Sequence, residues 1–337
     1  MNTYIHILLF LIVLFLYIHL VNQYKCSEDL EVYEMDYTDN AYLQEVCDIK
    51  QPILFEYKSH NPDFFENINI DHILNVGSHD VKVKTNDDYW KGDETVDYVV
   101  LPFQSARTLM VSDPGAKYFA ENNDAFLEDS GLYGHFNQND EFFKPSFTAQ
   151  TKYDICIGSK NAVTPLRYHT YYRNFICVTS GKISVKMTPW KSNKYLYANT
   201  DYNNYEFWSP VNVWKPQPKY MHEMDKMKFL EFDVLAGSVL YVPPYWWYSI
   251  KYSDEPDTIV CHFTYNSIMN CVSNLKRWGL YYLQQSNTKT RVIKTLDIQS
   301  SIVDESPTDD SGTVVKDGDN TNNTSIATSL INELQHK

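Results

Sequence analysis

The sequence predicts a mainly β domain with flanking helices, an α+β chain led by one apolar helix. Between residues 151 and 265, short β-branched and aromatic runs are separated by turns at Gly158-Ser159, Ser180-Gly181 and Gly237-Ser238, the chemistry of successive strands. From Ser267 the apolar spacing lengthens to about 3.6 residues. Ile268, Val272, Leu275 and Tyr282 then share one face of a C-terminal helix, with Trp278 flanking it and Lys276-Arg277 towards solvent. At the other end, Tyr4 to Val21 is uncharged and apolar apart from His6 and His19. As a helix it spans about 27 Å, just enough for the hydrocarbon core of a bilayer.

A chain of 337 residues suits one large β domain with extensions, or two ordinary domains. Its 43% hydrophobic and 15% aromatic content supports a buried core, and tyrosine is abundant at 27 residues. The formal net charge is −14 and no basic block stands out, which argues against a nucleic-acid partner and against acidic lipid surfaces. Six cysteines occur without a Cys-x-x-Cys pair, too dilute for a disulfide scaffold and wrongly spaced for zinc. Cys177 and Cys261 lie in apolar runs and are expected as buried thiols.

In chain order, residues 4–21 are expected to form a single-pass membrane anchor. The run is longer than a signal-peptide core, no basic segment precedes it and no small-x-small site follows, which favours an anchor over a cleaved signal. Only Lys25 lies near either end, so the orientation stays open. Residues 22–49 form a polar spacer and a short helix, capped by Asp39 and carrying Tyr42, Leu43 and Val46. Strands are expected at Pro52 to Phe55, Val81 to Lys84 and Tyr98 to Phe103. Asp113-Pro114 is a good N-cap and first-turn pair, and predicts a helix carrying Tyr118, Phe119 and Phe126.

The β-rich region follows, with strands near 153–157, 174–179, 182–187, 229–233, 239–242, 248–251 and 258–265. Residues 191–222 form a Tyr-, Asn- and Pro-rich insertion of the kind that frames a pocket mouth. Beyond about Leu296 the chain is polar and acidic, so 297–337 is expected to be a disordered tail. Asn322 and Asn323 there satisfy the glycosylation sequon, which matters only in a lumen.

The most specific stretch is Gly237-Ser-Val-Leu-Tyr-Val-Pro-Pro-Tyr-Trp-Trp-Tyr-Ser-Ile-Lys-Tyr252. It closely resembles the late strand pair of JmjC-type and cupin-like domains, factor-inhibiting-HIF-like members among them. The resemblance covers about residues 50–285 and implies a double-stranded β-helix, the cupin or jelly-roll core of the 2-oxoglutarate/iron oxygenases. The chain is also similar to membrane-anchored JmjC-like proteins of large DNA viruses.

That family holds Fe(II) with two histidines and a carboxylate. The resemblance implies a His-x-Asp pair on one strand and a histidine after the paired tryptophans. The matching segment is Val163-Thr-Pro-Leu-Arg-Tyr-His-Thr170, followed by Asn174 to Gly181. Counted back from Gly181, the ligand positions fall on Tyr168 and Thr170, and the third falls on Tyr248. All three ligands are then replaced. A one-residue slip would bring in His169 with Tyr171, still without a carboxylate. The cosubstrate lysine of the family is matched by Ile183, with Lys182 aimed to the other face. The expectation is a membrane-anchored pseudoenzyme that needs no cofactor and acts as a binding or structural module. Thr164, Asn174, Trp246, Trp247 and His262 are its candidate pocket-lining residues. The alternative is an oxygenase using Fe(II) and 2-oxoglutarate through unconventional ligands. An unnamed protein partner and a homodimer through 267–286 are the expected associations.

Overall fold

The computed structural model describes residues 3–91 and 96–287. The first strands are β1 (Tyr33–Glu34), β2 (Ile53–Glu56), β3 (Asp80–Thr85), β4 (Val99–Pro102) and β5 (Tyr118–Ala120). The next five are β6 (Thr148–Gly158), β7 (Leu166–Tyr168), β8 (Arg173–Ser180), β9 (Lys182–Thr188) and β10 (Asn199–Asp201). The last are β11 (Glu206–Ser209), β12 (Leu230–Leu235), β13 (Ser238–Tyr241), β14 (Trp247–Tyr252) and β15 (Ile259–Ser267).

They form two sheets, ordered β1-β2-β13-β8-β15-β6-β5-β3-β4 and β10-β11-β7-β14-β9-β12. From β6 to β9 and again from β12 to β15 the chain changes sheet at every step: β6, β8, β13 and β15 lie in the larger sheet, and β7, β9, β12 and β14 in the smaller, which β10 and β11 extend. This alternation winds two sheets face to face and is the expected double-stranded β-helix.

Period-two alternation then sorts the side chains into three apolar layers. Ile176, Val178, Cys156 and Val260 face Ile183, Val185, Met187, Tyr248 and Ile250 between the sheets. The outer face of the larger sheet buries Phe175, Cys177, Cys261 and Phe263 under the N-terminal segments. The smaller sheet buries Leu166, Tyr168, Phe207 and Trp247 beneath the 191–222 insertion and the C-terminal helix. Gly181 turns β8 into β9 at φ +74°, where an added Cβ would lie 2.4 Å from the Thr258 hydroxyl. Only glycine meets both demands.

Several expectations need correction. Residues 22–37 are not a loose spacer, since β1 pairs in parallel with β2 and Tyr37 is buried in the core. Asp39 does cap the helix Asn40–Cys47. That helix is tied down by Arg173, wholly buried, which reaches Asp48 at 2.6 Å and Gln44 at 2.8 Å. Asp113 does not start a helix. It follows the helix Phe103–Ser112, and its carboxylate instead accepts the Gly115 and Lys117 amides, each at 2.7 Å. Tyr118 and Phe119 consequently enter a strand, and Phe126 belongs to the helix Asp124–Asp129.

The alternation Val81-Lys82-Val83-Lys84 fits a half-exposed strand, yet Lys84 is buried. The 267–286 helix is two pieces, Ile268–Ser273 and Leu275–Asn287, broken at Asn274. Arg277 is not turned to solvent. It lies 5.8 Å from the rings of Phe207 and Tyr245. The 22-residue helix Thr3–Tyr24 is long and apolar enough to cross a membrane and is unburied along its apolar window. The 297–337 tail, with Asn322 and Asn323, lies outside the described residues.

Candidate functional site

The phase of β7 decides which side chains face inward. Arg167 pairs with both Tyr248 and Trp208, and Tyr168 pairs with Phe207. Residues opposite each other on a ladder share a face. Arg167 therefore points between the sheets with Tyr248, while Tyr168 points outward. Its ring stacks on Phe207 at 5.0 Å and meets Trp247 at 4.8 Å. The register that places candidate ligands at Tyr168 and Thr170 is corrected accordingly. Thr170 is buried, with its hydroxyl 3.3 Å from that of Tyr205. The inward series is Arg167, His169 and Tyr171.

Two contacts hold this phase just beyond β7. The carbonyl of His169 accepts the Tyr245 amide at 2.9 Å, and the carbonyl of Thr170 accepts the Asn270 side chain at 2.9 Å. Tyr245, after the double proline, sits at φ +65°, a strained setting for an aromatic residue. The Pro-Pro-Tyr turn and the C-terminal helix thus fasten the segment from both sides.

A cavity of about 240 Å³ opens beside Arg167, His169 and Tyr171. Strand β6 contributes Gln150 and Lys152, β15 contributes Thr264 and Asn266, and the insertion contributes Tyr205 and Glu206. Trp278 and Tyr281 of the C-terminal helix close one wall, with Trp278 stacked on Tyr205 at 4.4 Å. The expectation that the insertion frames a pocket agrees with this geometry.

Next to the cavity lies a buried ion network. Arg167 pairs with Glu121 at 2.5 Å, and Lys84 bridges Glu121 at 3.1 Å and Glu206 at 2.5 Å. The Tyr89 hydroxyl donates to Glu206 at 3.1 Å. Burial pushes the Glu121 carboxyl up, but Arg167 and Lys84 outweigh it and hold it at about 2. Burial likewise opposes the charge on Lys84, and Glu206, Tyr89 and Glu121 outweigh it. These carboxylates are therefore already ion-paired.

His169 is the imidazole on the cavity wall, and its Nε2 lies 2.5 Å from the Tyr248 hydroxyl. Burial first, then Arg167 and His262, hold its pKa well below the usual histidine value, so it is neutral. Burial raises the phenols of Tyr171 and Tyr248 above their ordinary pKa. Deprotonation to a metal-binding phenolate is correspondingly disfavoured. Among the described residues no three His, Cys, Asp or Glu side chains gather where they could hold a metal ion. The wall offers one imidazole, His169, with raised phenols, the ion-paired Glu206 and an exposed Asp124, and lacks the second histidine of a two-histidine, one-carboxylate Fe(II) site. Ile183 is buried between the sheets, while Lys182 faces out and pairs with Asp233 at 3.2 Å.

None of the five candidate pocket residues is on the cavity wall. Thr164 clips β14 instead, its hydroxyl accepting the Ile250 amide at 2.9 Å. Trp246 belongs to the layer between the sheets and Trp247 to the outer layer beside Tyr168. Asn174 and His262 share the inward faces of their strands with Thr264, but sit off the wall. Asn174 comes near enough to lower the Tyr248 phenol, yet its amide makes no full hydrogen bond. Of the residues that do line the cavity, His169 and Tyr171 are those of the one-residue slip, and the others, scattered from 122 to 281, are signalled by no motif.

The fold defines a double-stranded β-helix protein of the cupin class. The chain belongs to the Cupin-like domain family, whose model matches residues 59–271. It is similar to JmjC domain-containing protein D of Dictyostelium discoideum, 30% identical over 95 residues, which is 28% of this chain and 21% of that protein. It is also similar to HSPB1-associated protein 1 of Bos taurus, 29% identical over 106 residues, 31% of this chain and 22% of that one. The human HSPB1-associated protein 1 is 28% identical over the same length. The matched region thus spans about a fifth of these curated relatives. The family typically depends on Fe(II) and 2-oxoglutarate. The likeness to viral proteins finds no counterpart in the relatives named here.

Proposed function

We propose that this chain is a membrane-anchored Cupin-like module that acts by binding rather than by Fe(II)/2-oxoglutarate chemistry. The observation that carries the reading is the hydrogen bond between His169 Nε2 and the Tyr248 hydroxyl. It joins two inward positions through a proton where an oxygenase would join them through a metal. The charges on the cavity wall support a binding role, because Lys152 and Arg167 are matched by Asp124 and Glu206. A balanced wall favours a small, polar, uncharged ligand over an ion. The side-chain oxygen of Asn266 and Nε of Arg167 are buried there without protein partners. The helix Thr3–Tyr24 supports anchoring by its length and exposure. An unnamed protein partner, in a host or viral membrane, completes the reading.

The rival is an oxygenase with unconventional ligands, favoured by the JmjC relative and by a neutral His169 facing the cavity. Metal analysis of the purified full chain, with an assay of 2-oxoglutarate turnover, separates them. No bound metal and no turnover are expected. Stoichiometric Fe, Mn or Zn that His169→Ala abolishes would sink the proposal.

A further inference from the structure

The foot of the apolar helix adjoins an exposed apolar patch that the barrel core does not use. Phe147 is 82% exposed, and its backbone is held at φ +57°, where bulky residues seldom sit. Its carbonyl accepts the Ile268 amide at 3.1 Å, which fixes the residue beside the first turn of the helix Ile268–Ser273. Ile268 and Val272, one turn apart, are also exposed, and so is Leu275 just past the break at Asn274. The helix Thr3–Tyr24 ends against the same short helix at its other end, where the Tyr24 hydroxyl donates to the Ser273 carbonyl. Nearby, the Lys50 ammonium donates to the Asn22 carbonyl, and the Tyr24 ring lies 6.2 Å from Tyr245.

We infer that Phe147, Ile268, Val272 and Leu275 form a membrane seat, which rests the barrel on the lipid surface around its own anchor. The inference depends on the anchoring reading above. If Thr3–Tyr24 crosses a bilayer, the helix Ile268–Ser273 that its last turn meets at Ser273 is held at headgroup level, where apolar side chains enter the acyl boundary. A net charge of −14 gives anionic lipid no attraction, so the surface is zwitterionic. The seat would fix the tilt of the barrel on the lipid surface. Self-association through 267–286 would use the same side chains and is the competing outcome.

The test uses the full chain in phosphatidylcholine liposomes, with photoreactive p-benzoylphenylalanine placed singly at Ile12, Phe147, Val272 or Leu235. Leu235 is 59% exposed, but it adjoins the Gly181 turn at the opposite end of the barrel. Nine-residue β15 separates the two ends by roughly 27 Å. Mass spectrometry should find lipid adducts at Ile12, Phe147 and Val272, and few or none at Leu235. Lipid adducts at Ile12 alone would overturn the seat and leave the anchor standing. Their absence at Ile12 would overturn both. Adducts between chains at Val272 would assign the face to self-association and overturn the seat.

Discussion

His169, just past β7, and Tyr248, on the neighbouring strand β14, share a hydrogen bond of 2.5 Å on the inner face of the smaller sheet, although they lie 79 residues apart. Tyr248→Phe keeps the ring and removes the hydroxyl, leaving a buried imidazole nitrogen unpaired. A loss of about 1–3 kcal/mol is expected from urea unfolding. A loss no larger than that of an exposed control would show that His169 finds another partner.

The inward series predicts how a metal site could be restored. Tyr171→Asp with Tyr248→His rebuilds two imidazoles and a carboxylate around His169. That double variant should bind one Mn(II), read by electron paramagnetic resonance, while Tyr168→His with Thr170→Asp and Tyr248→His should not. The opposite outcome would return the ligand positions to Tyr168 and Thr170.

Acid should destabilise the fold in two stages. Burial and then Arg167 lower the His262 pKa to about 3 from the ordinary 6.5, so the unfolded chain takes up its proton first. Stability from this group is complete above about 6.5 and lost as pH falls towards 3. Glu121 is depressed to about 2 from 4.5, and its contribution is lost lower, between about 4.5 and 2. His262→Gln should flatten the melting temperature between pH 6.5 and 4.5. An unchanged slope would show that His262 does not contribute.

Lys84→Met removes the cation between Glu121 and Glu206 and leaves buried carboxylate charge uncompensated. Breaking a buried pair from one side costs about 3–5 kcal/mol. Thermal unfolding should show that loss, with part of it recovered when Glu206→Gln is added.

Gly158→Ala tests the packing between the sheets, because an added Cβ would lie 2.4 Å from the Tyr252 ring. Overpacking of about 1–3 kcal/mol is expected in denaturant unfolding.

Much of this could be read before folding. Strands β6, β8, β9, β13, β14 and β15 are legible because β-branched runs and glycine turns are local properties. Tyr118 and Phe119 misled because Asp113-Pro114 is equally good local chemistry for starting a helix. The carboxylate of Asp113 instead binds Gly115 and Lys117, while Phe119 pairs with Lys84 and Gly158 in the sheet. A sheet neighbour distant in sequence cannot be seen in a window of ten residues.

The sequence by itself determined the run of strands and the apolar leading helix, and its resemblance put Tyr248 where a histidine is expected and Ile183 where a lysine is. Those are statements of identity and pattern. Only the tertiary structure decided that Arg167, His169 and Tyr171 face inward, because β7 is buried on both faces and its phase follows from pairing with Phe207 and Tyr248. Only it assembled Lys84, Glu121, Arg167 and Glu206, whose mutual attraction matters once the barrel has removed water from between them.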